Sequence, residues 1–238
     1  MKFHLIYLAA GFSRRFGTNK LLAPYKGTPM YRALLDRLVN ILEYDESVID
    51  ITVVTQYREI EDEVDRIGLE TALPVRCVIN PDPSRGISSS IKCAVRYLAK
   101  FNTELNPYMD AAYLSTCDSS DILTNNKNKN EPPDSHKSDH ASTPDEALIF
   151  FVADTPHLRE NTVTDFIHAF ARSGKRLACI GREGEMGNPG GFGAEFIPEL
   201  MELEGDRGGK RVLLAHKDEV FIFSDTKPEE LEDIDYSC

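Results

Sequence analysis

The stretch FHLIYLAAGFSRRFGTNK (residues 3–20) joins an apolar run to a loop that contains two glycines and three basic side chains. The apolar part is typical of a strand in a parallel sheet, because such strands are covered on both faces and lack polar alternation. Glycines let a ligand approach the backbone closely, and the basic side chains add positive charge. The stretch therefore predicts a strand followed by an anion-binding loop, with a solvated strand-to-helix turn as the alternative. The basic residues are Arg14, Arg15 and Lys20.

The rest of the chain alternates in the same way between short apolar runs and amphipathic segments. Predicted strands occupy residues 3–9, 50–55, 74–79, 147–153, 175–180 and 219–223. Predicted helices occupy residues 28–42, 57–68, 88–101 and 161–174. In the first of them, Thr28 is the expected cap and Pro29 the first helical residue. This order predicts an α/β fold with a mostly parallel (mixed) sheet and helices on both faces, in which ligands bind beyond the carboxyl ends of the strands.

Residues 119–146 interrupt the alternation with a polar segment that contains almost no large apolar side chain. Such a segment cannot offset its own ordering entropy by burial, so we predict a disordered surface insertion within a single domain that spans residues 1–238. His136 and His140 lie four residues apart in it, which is compatible with a metal site. In a compositionally biased segment, however, solvated side chains are the preferred interpretation.

The composition restricts the partners and the compartment. The formal net charge of −12 argues against general binding to nucleic acid or to anionic membranes, because both need a surplus of Lys and Arg. Five cysteines without C-x-x-C spacing argue against a zinc site or a disulfide framework, and they favour a cytoplasmic location. The opening loop lacks the Walker pattern, and the chain lacks the G-x-G-x-x-G dinucleotide fingerprint.

The opening loop resembles a known family motif. LAAGFSRRFGTNKLL (8–22) is similar to L-A-[AG]-G-x-x-x-R-x-G-x-x-K of the nucleotidyltransferases, and most similar to the molybdenum cofactor cytidylyltransferase group of the MobA-like NTP transferases. Four later segments resemble that family in the order it requires. They are the base and ribose segment NPDPSRGISSSIKCAV (80–95), the metal-binding strand end IFFVADTPHL (149–158), the acceptor side GNPGGFGAEFIPELMELEGDRGGKRVL (187–213) and the closing EDIDYSC (232–238).

The resemblance implies a Rossmann-like nucleotidyltransferase domain. In its reaction an acceptor phosphate attacks the α-phosphorus of a nucleoside triphosphate bound with Mg²⁺, and pyrophosphate leaves. Such a reaction asks the protein mainly for positioning and charge neutralisation. The implied catalytic cations are Arg15 and Lys20. The implied nucleotide-binding residues are Ala9, Ala10, Gly11, Ser13, Arg14, Asn80, Gly86, Ser88 and Ser90. The implied Mg²⁺ ligands are Asp154, Asp233 and Asp235. The implied acceptor-side residues are Asn188, Pro189, Asp206 and Arg211.

Several of these residues also fit purely structural roles. Asp154 fits the cap of a helix, and the serines at 88–90 fit a plain helix start. The acidic residues of 232–238 fit a solvated tail, and Asp206 and Arg211 fit a surface loop and helix. Asp118 competes with Asp154 as the metal ligand, and Asp154 is preferred because ADTPHL reproduces the family motif. If the motif is aligned one residue earlier, Arg14 takes the place of Arg15.

The sequence departs from the family pattern on the acceptor side. Asn188 stands where the family usually has His, and Gly190 and Gly191 replace two bulkier apolar residues. LAAG followed by RRFG is more similar to the cytidylyl branch than to the guanylyl branch, so CTP and a molybdopterin acceptor are expected, with a molybdenum hydroxylase as recipient. Another phosphate acceptor, GTP, or a non-catalytic nucleotide- or cofactor-binding accessory role are the alternatives.

Overall fold

The computed structural model describes residues 1–11, 19–102, 105–109, 145–182 and 184–231. The strands described are β1 (Lys2–Ala9), β2 (Pro24–Tyr25), β3 (Thr28–Pro29), β4 (Val48–Thr55), β5 (Val75–Ile79), β6 (Glu146–Val152), β7 (Leu177–Arg182), β8 (Glu185–Gly193) and β9 (Val220–Phe223). The α-helices described are α1 (Met30–Tyr44), α2 (Arg58–Thr71), α3 (Ile87–Phe101), α4 (Glu160–Ser173), α5 (Ile197–Met201) and α6 (Lys210–Ala215).

Seven of the described strands form one sheet, in the order β5-β4-β1-β6-β8-β7-β9. Strand β1 lies inside the sheet and pairs in parallel with β4 and β6. Strand β8 runs antiparallel to both β6 and β7, whereas β7 and β9 are parallel. The sheet is therefore mixed and mostly parallel, as the sequence predicts. Strands β1, β4, β5 and β6 end at the same edge of the sheet, which we call its carboxyl edge, and β8 begins there.

Helices cover the sheet on both faces, which confirms the predicted α/β fold. Alternate residues of β1 face opposite sides, as in any strand. Phe3, Leu5 and Tyr7 pack with the buried sides of α1, α2 and α4. Ile6 and Leu8 pack with α3, α5 and α6 in a second apolar cluster. Because both faces are apolar and covered, β1 reads in the sequence as an almost continuous hydrophobic run.

The predicted elements agree with the observed ones except at some boundaries. Thr28 and Pro29 form β3, because Tyr25 and Thr28 pair in the short β2–β3 hairpin, so Pro29 instead of Thr28 is the cap residue and α1 begins at Met30. Gly68 lies inside α2 and does not end it. A Cβ at Gly68 would lie 2.9 Å from the carbonyl oxygen of Val75, so the glycine allows α2 to pack closely on β5. The helix ends instead at Ala72, which has a left-handed φ of 55°.

Strand β8 was not expected, because GNPGGFG is rich in residues that disfavour strands. Its glycines accommodate aromatic rings on the two faces of the sheet. A Cβ at Gly191 would lie 2.6 Å from the ring of Phe170, and one at Gly190 would lie 3.2 Å from the ring of Phe192. The small residues thus allow an antiparallel strand to fit between two bulky apolar layers.

The amino edge of the sheet carries a buried ionic cluster. His4 is 1% exposed, and its Nδ1 lies 3.0 Å from Asp50 Oδ1 while its Nε2 lies 3.3 Å from Glu146 Oε2. Burial opposes a charge on the imidazole, but the hydrogen bonds and charges of the two carboxylates outweigh it and raise the pKa of His4 to about 9. Asn102 donates to Glu146 at 2.9 Å. A cavity of about 220 Å³ adjoins His4 at this edge.

The predicted insertion ends at the same amino edge. Its last two residues, Asp145 and Glu146, are among the described residues. Asp145 pairs with the Met1 amino group at 2.5 Å, and Glu146 begins β6. Residues 119–144 of the predicted insertion lie outside the described residues. Among the helices that the structure describes, none is long and apolar enough to cross a bilayer.

Candidate active site at the carboxyl edge of the sheet

The carboxyl edge brings together segments that are far apart in the chain. Ala9 is paired with Thr55 at this edge, and Thr55 is paired with Ile79, so the loops after β1, β4 and β5 are neighbours. Strand β6 lies on the other side of β1 and leads to Asp154. Since Gly190 of β8 pairs with Phe150, Asn188 and Pro189 lie toward the same end of β6. The predicted triphosphate, base, metal and acceptor segments therefore approach one edge of the sheet.

Side chains from the end of β4 bind the backbone at the exit of β1. We call this group the exit clamp, and it consists of Thr55, Gln56 and Tyr57. Thr55 Oγ1 donates to the carbonyl of Ala9 at 3.0 Å, Gln56 Nε2 to that of Ala10 at 2.7 Å and the Tyr57 hydroxyl to that of Gly11 at 2.9 Å. Ala9 and Ala10 are buried, and Gly11 is exposed. The predicted loop thus starts from a defined backbone position.

The remaining loop residues predicted for the triphosphate fall partly outside the structure. Ser13, Arg14 and Arg15 lie outside the described residues. Lys20 is described and half-buried, at the start of a 3-10 helix over Lys20–Leu22. The side chain of Asn19 accepts from Leu21 N at 3.0 Å and caps this helix. Leu21 is buried in the core, so the cap and the apolar anchor together determine where Lys20 enters the edge.

Asp154 lies in a tightly held turn after β6. The Ala153 amide donates to Leu8 O at 3.1 Å, and Thr155 Oγ1 donates back to Val152 O at 2.9 Å. Helix α4 begins only at Glu160, preceded by Arg159, so Asp154 is not a helix cap. The structure thus removes the main structural alternative for this carboxylate.

The negative charge of Asp154 affects the pKa of Tyr7 in the core beneath it. Burial is the main cause that raises the pKa of Tyr7 well above its ordinary value, and the negative charge of Asp154 is the next. Among the described residues, no cation forms a salt bridge with the half-buried Asp154 carboxylate. A half-buried carboxylate of this kind fits a hard divalent cation, which takes one or two carboxylates together with phosphate oxygens.

Two charged groups, the half-buried Arg37 and the buried Glu230, hold the segment that directly follows Asp154. Arg37 of α1 donates to the carbonyls of Pro156 and Leu158, both at 2.7 Å. Glu230 is 1% exposed, and its carboxylate bonds the Arg159 guanidinium at 2.5–2.6 Å and the Arg159 amide at 3.3 Å. The last described segment of the chain is therefore attached beside the turn.

The other predicted metal ligands cannot be assessed in the same way. Asp233 and Asp235 lie outside the described residues, as does the competing Asp118. No cluster of three or more His, Cys, Asp or Glu side chains suited to a metal occurs within the described part of the chain. Of the predicted ligands, Asp154 is thus the one that the structure describes.

The predicted base and ribose segment is organised around Asn80. This side chain is 2% exposed, and its Nδ2 donates to Ser89 Oγ at 2.8 Å and to Ser90 Oγ at 2.9 Å. Its Oδ1 accepts from Asp82 N at 3.0 Å. Ser88 and Ser90 are also buried, in the first turn of α3. The Asn80 side chain is thus engaged inside the protein, where it positions the start of α3.

Gly86 brings the predicted nucleotide segment against the predicted acceptor segment. It has a left-handed φ of 83° and precedes α3. A Cβ at this position would lie 2.5 Å from the carbonyl oxygen of Gly205 and would also clash with the carboxylate of Asp206. The Ser88 amide donates to Gly205 O at 3.2 Å. Only glycine combines this backbone angle with so close an approach.

The predicted acceptor residues differ in exposure. Asn188 is exposed and joined by a cis peptide bond to Pro189, which is buried. Asp206 and Arg211 are exposed, Arg211 on α6. Sequence reasoning missed the exit clamp, Arg37 and Glu230. The run TQY directly after the apolar strand DITVV (50–54) was the available signal for the clamp, because polar side chains at a carboxyl strand end line the ligand-binding edge.

Comparison with known proteins identifies relatives of this architecture. The family model of the MobA-like NTP transferase domain matches residues 5–220. No curated protein matches the chain significantly. The structure resembles Rv0371c from Mycobacterium tuberculosis H37Rv, with a TM-score of 0.57, 18% identity, and 94% of this chain and 87% of that chain covered. Rv0371c is also known as a complex with manganese.

Two other solved structures share the fold at lower identity. The 4-diphosphocytidyl-2C-methyl-D-erythritol synthase from Anaerococcus prevotii has a TM-score of 0.59 and 11% identity, with 98% of this chain and 90% of that chain covered. The molybdopterin-guanine dinucleotide biosynthesis protein A from Archaeoglobus fulgidus has a TM-score of 0.53 and 10% identity, with 97% and 91% covered. At such identities the likeness shows the fold.

Proposed function

This chain belongs to the MobA-like NTP transferase family and is a nucleotidyltransferase, and from that premise we propose that it transfers CMP from CTP to molybdopterin and releases pyrophosphate. The observation that supports the proposal best is the convergence at one sheet edge. The chain from the exit of β1 to Lys20, the turn with Asp154 and the Gly86 segment are far apart in the sequence, and they follow β1, β6 and β5, whose carboxyl ends lie at the same edge of the sheet.

The proposed roles follow from charge and position. Arg15 and Lys20 neutralise the triphosphate, and the backbone amides at Ala9, Ala10, Gly11 and Ser13 surround it beside Arg14. Gly86, Ser88 and Ser90 form the base and ribose side, which Asn80 positions from inside the protein. Asn188, Pro189, Asp206 and Arg211 form the acceptor side.

Asp154 is the proposed ligand of a divalent cation, with Asp233 or Asp235 as the second carboxylate. When bound, the cation neutralises charge that develops on the phosphate oxygens. The chain's own contribution at this point is a held carboxylate, because Arg37 and Glu230 restrain the segment that directly follows it. The manganese complex of Rv0371c supports a divalent cation in this fold.

The choice of CTP rests on the loop sequence. LAAG followed by RRFG is more similar to the cytidylyl branch, and one fold neighbour is by name a diphosphocytidyl-methylerythritol synthase. Another is by name a molybdopterin-guanine dinucleotide biosynthesis protein, which supports a molybdopterin acceptor. Because that name includes guanine, GTP is the alternative nucleotide to compare with CTP. On this proposal the product passes to a molybdenum hydroxylase.

Two alternative functions are considered because the acceptor side departs from the family pattern. Asn188 replaces the usual His, and the adjacent Gly190 and Gly191 replace larger side chains. These changes favour either another phosphate acceptor or a non-catalytic protein that binds nucleotide or cofactor for delivery.

Thermal unfolding with CTP, GTP, ATP and UTP, each with and without Mg²⁺ or Mn²⁺, separates these activities. We expect CTP with a divalent cation to raise the unfolding temperature most, because a ligand that binds only the folded state stabilises it. Pyrophosphate release on addition of molybdopterin then separates an enzyme from a carrier. Nucleotide binding without release would contradict transfer to molybdopterin, and release with a different phosphate acceptor would then distinguish another transferase from a carrier.

Variants then test the two central side chains. Lys20→Ala and Asp154→Asn should each reduce pyrophosphate release by at least about a hundredfold, which is typical for the loss of one preorganised charge. Lys217→Ala and Asp165→Asn change the same residue types at exposed positions and should leave release unchanged. Equal activity of the central and control variants would contradict the assigned roles.

A further inference from the structure

The backbone at the exit of β1 changes its direction of hydrogen bonding. In a regular strand, successive carbonyls point alternately to the two neighbouring strands. Leu8 O follows this rule and accepts from Ala153, which continues β6, at 3.1 Å. The next three carbonyls, those of Ala9, Ala10 and Gly11, are all bound by the exit clamp on the side of β4. The chain has therefore left strand geometry by Ala10.

This arrangement determines where the amide groups point. In a trans peptide the N–H lies opposite the carbonyl of the same peptide plane. Because the clamp draws the Ala9 and Ala10 carbonyls toward β4, the amides of the same two planes, those of Ala10 and Gly11, face away from β4. Successive amides on one side form a concave site for an anion, whereas exposed carbonyl oxygens would repel phosphate. The clamp thus orients the polarity of the loop as well as its position.

We propose that Gln56 and Tyr57 are positioning residues for the triphosphate. They do not contact it, and they act by holding the Ala10 and Gly11 carbonyls away from the phosphate-binding side. This inference rests on the proposed nucleotidyltransferase function. The two side chains also contact each other, since Gln56 Nε2 lies 3.3 Å from the Tyr57 hydroxyl.

The exposure of the clamp residues distinguishes this role from simple core packing. Thr55 is fully buried, so its replacement would affect folding as well as the loop. Gln56 and Tyr57 are half-buried, and the Gln56 Nε2 and the Tyr57 hydroxyl donate hydrogen bonds to the loop backbone. Removing those atoms while keeping the side-chain volume should therefore change the loop more than the stability of the domain.

The test uses two near-isosteric variants, Tyr57→Phe and Gln56→Met, in the full chain. Calorimetric titration with Mg²⁺ measures the Kd of CTP and of CMP, and of GTP and GMP. We expect each variant to weaken triphosphate binding by about three- to tenfold, which is the usual effect of one hydrogen bond. Monophosphate binding should change by less than about twofold, because the loop acts on the phosphate chain. Tyr44→Phe, an exposed tyrosine on α1, is the matched control and should change neither.

The outcomes separate the inference from the function beneath it. If the wild type binds triphosphates and both variants bind them equally well, the positioning role is wrong. If triphosphate and monophosphate weaken in parallel, or if only the unfolding temperature falls, the clamp is a structural element. If the wild type binds no nucleotide, the proposed function fails and the inference fails with it. Should one variant not fold, the other still decides, because each removes a different donor.

Discussion

Glu230 and Arg159 form an ion pair in which the carboxylate is 1% exposed and the guanidinium lies 2.5 Å away. The two residues are 71 positions apart, and the pair attaches the end of the described chain to the turn that follows Asp154. Burial alone would raise the pKa of Glu230, but hydrogen bonds from Thr162 and from Arg159 lower it below its ordinary value. The carboxylate is therefore charged in the folded protein at neutral pH.

Replacing Glu230 with Gln should destabilise the protein and weaken metal binding. The variant loses a charge-assisted hydrogen bond, so we expect the free energy of unfolding to fall by about 2 kcal/mol in a denaturant titration. Because the pKa of Glu230 is lowered, the difference from wild type should be present above about pH 4.5, the ordinary value, and should vanish as the pH falls through the folded pKa. Glu229→Gln, at the exposed neighbouring position, is the control.

Mn²⁺ titration of the same variant tests the connection to the site. We expect weaker Mn²⁺ binding by Glu230→Gln than by Glu229→Gln, because the turn that carries Asp154 loses its restraint. Unchanged Mn²⁺ affinity in a destabilised Glu230→Gln protein would show that the ion pair serves folding alone.

Replacing His4 with Gln should change how stability depends on pH. The pKa of His4 is raised to about 9 from its ordinary value of 6.5, so its contribution is fully present below pH 6.5 and is lost as the pH rises through 9. Between these values we expect the wild type to lose roughly 3 kcal/mol relative to His4→Gln in urea titrations. Parallel stability curves for the two proteins over this range would mean that His4 is neutral when folded.

Replacing Asn80 with Ala should lower the stability of the fold, because the side chain acts inside the protein and not as a direct nucleotide ligand. The side chain is 2% exposed and bonds Ser89, Ser90 and the Asp82 amide, so its removal leaves buried polar groups without partners. A loss of about 2 kcal/mol is expected from denaturant unfolding. Asn40→Ala, at an exposed position on α1, should cost much less. Unchanged stability with reduced nucleotide affinity would instead make Asn80 a direct ligand.

Replacing Gly191 with Ala should destabilise β8. The new Cβ would lie 2.6 Å from the Phe170 ring, and overpacking of this kind costs about 1–3 kcal/mol. Gly208→Ala is the control, because a Cβ there would be in ordinary contact with Ile87 at 3.6 Å. Thermal unfolding of both variants decides the matter, and equal unfolding temperatures would mean that Phe170 moves aside without cost.

Local pattern predicted much of the parallel part of the sheet because β1, β4 and β6 are largely buried on both faces and therefore form apolar runs in the sequence. It failed at β8 because that strand is stabilised by its partners. Gly190 and Gly191 contribute almost no strand propensity of their own, and Phe170 and Phe192 fill the space above and below them. The contact between Gly191 and the distant Phe170 leaves no trace in the local sequence.

The candidate site was predictable to the same extent. The family motif predicts that the loop and Asp154 belong to one site, and the strands that lead to them, β1 and β6, end at the same edge. The run TQY indicates polar side chains at the ligand-binding edge, but it does not show their backbone partners 46 positions away, and nothing local indicates the Glu230 ion pair, which joins residues 71 positions apart. Their residue types, Thr, Gln, Tyr and Glu, are unremarkable on a surface, and only the fold shows that they bind the backbone beside the site.

The entry of the chain into β6 has a consequence for how the protein can vary. Asp145 is bonded to Met1, and Glu146 to Asn102, at the end of the sheet opposite the candidate active site. The length of a central strand, roughly 25 Å for eight residues, separates that end from the catalytic edge. Changes in the length or sequence of the chain inserted before Asp145 should therefore have little effect on the reaction. The same position suits the genetic fusion of a reporter domain.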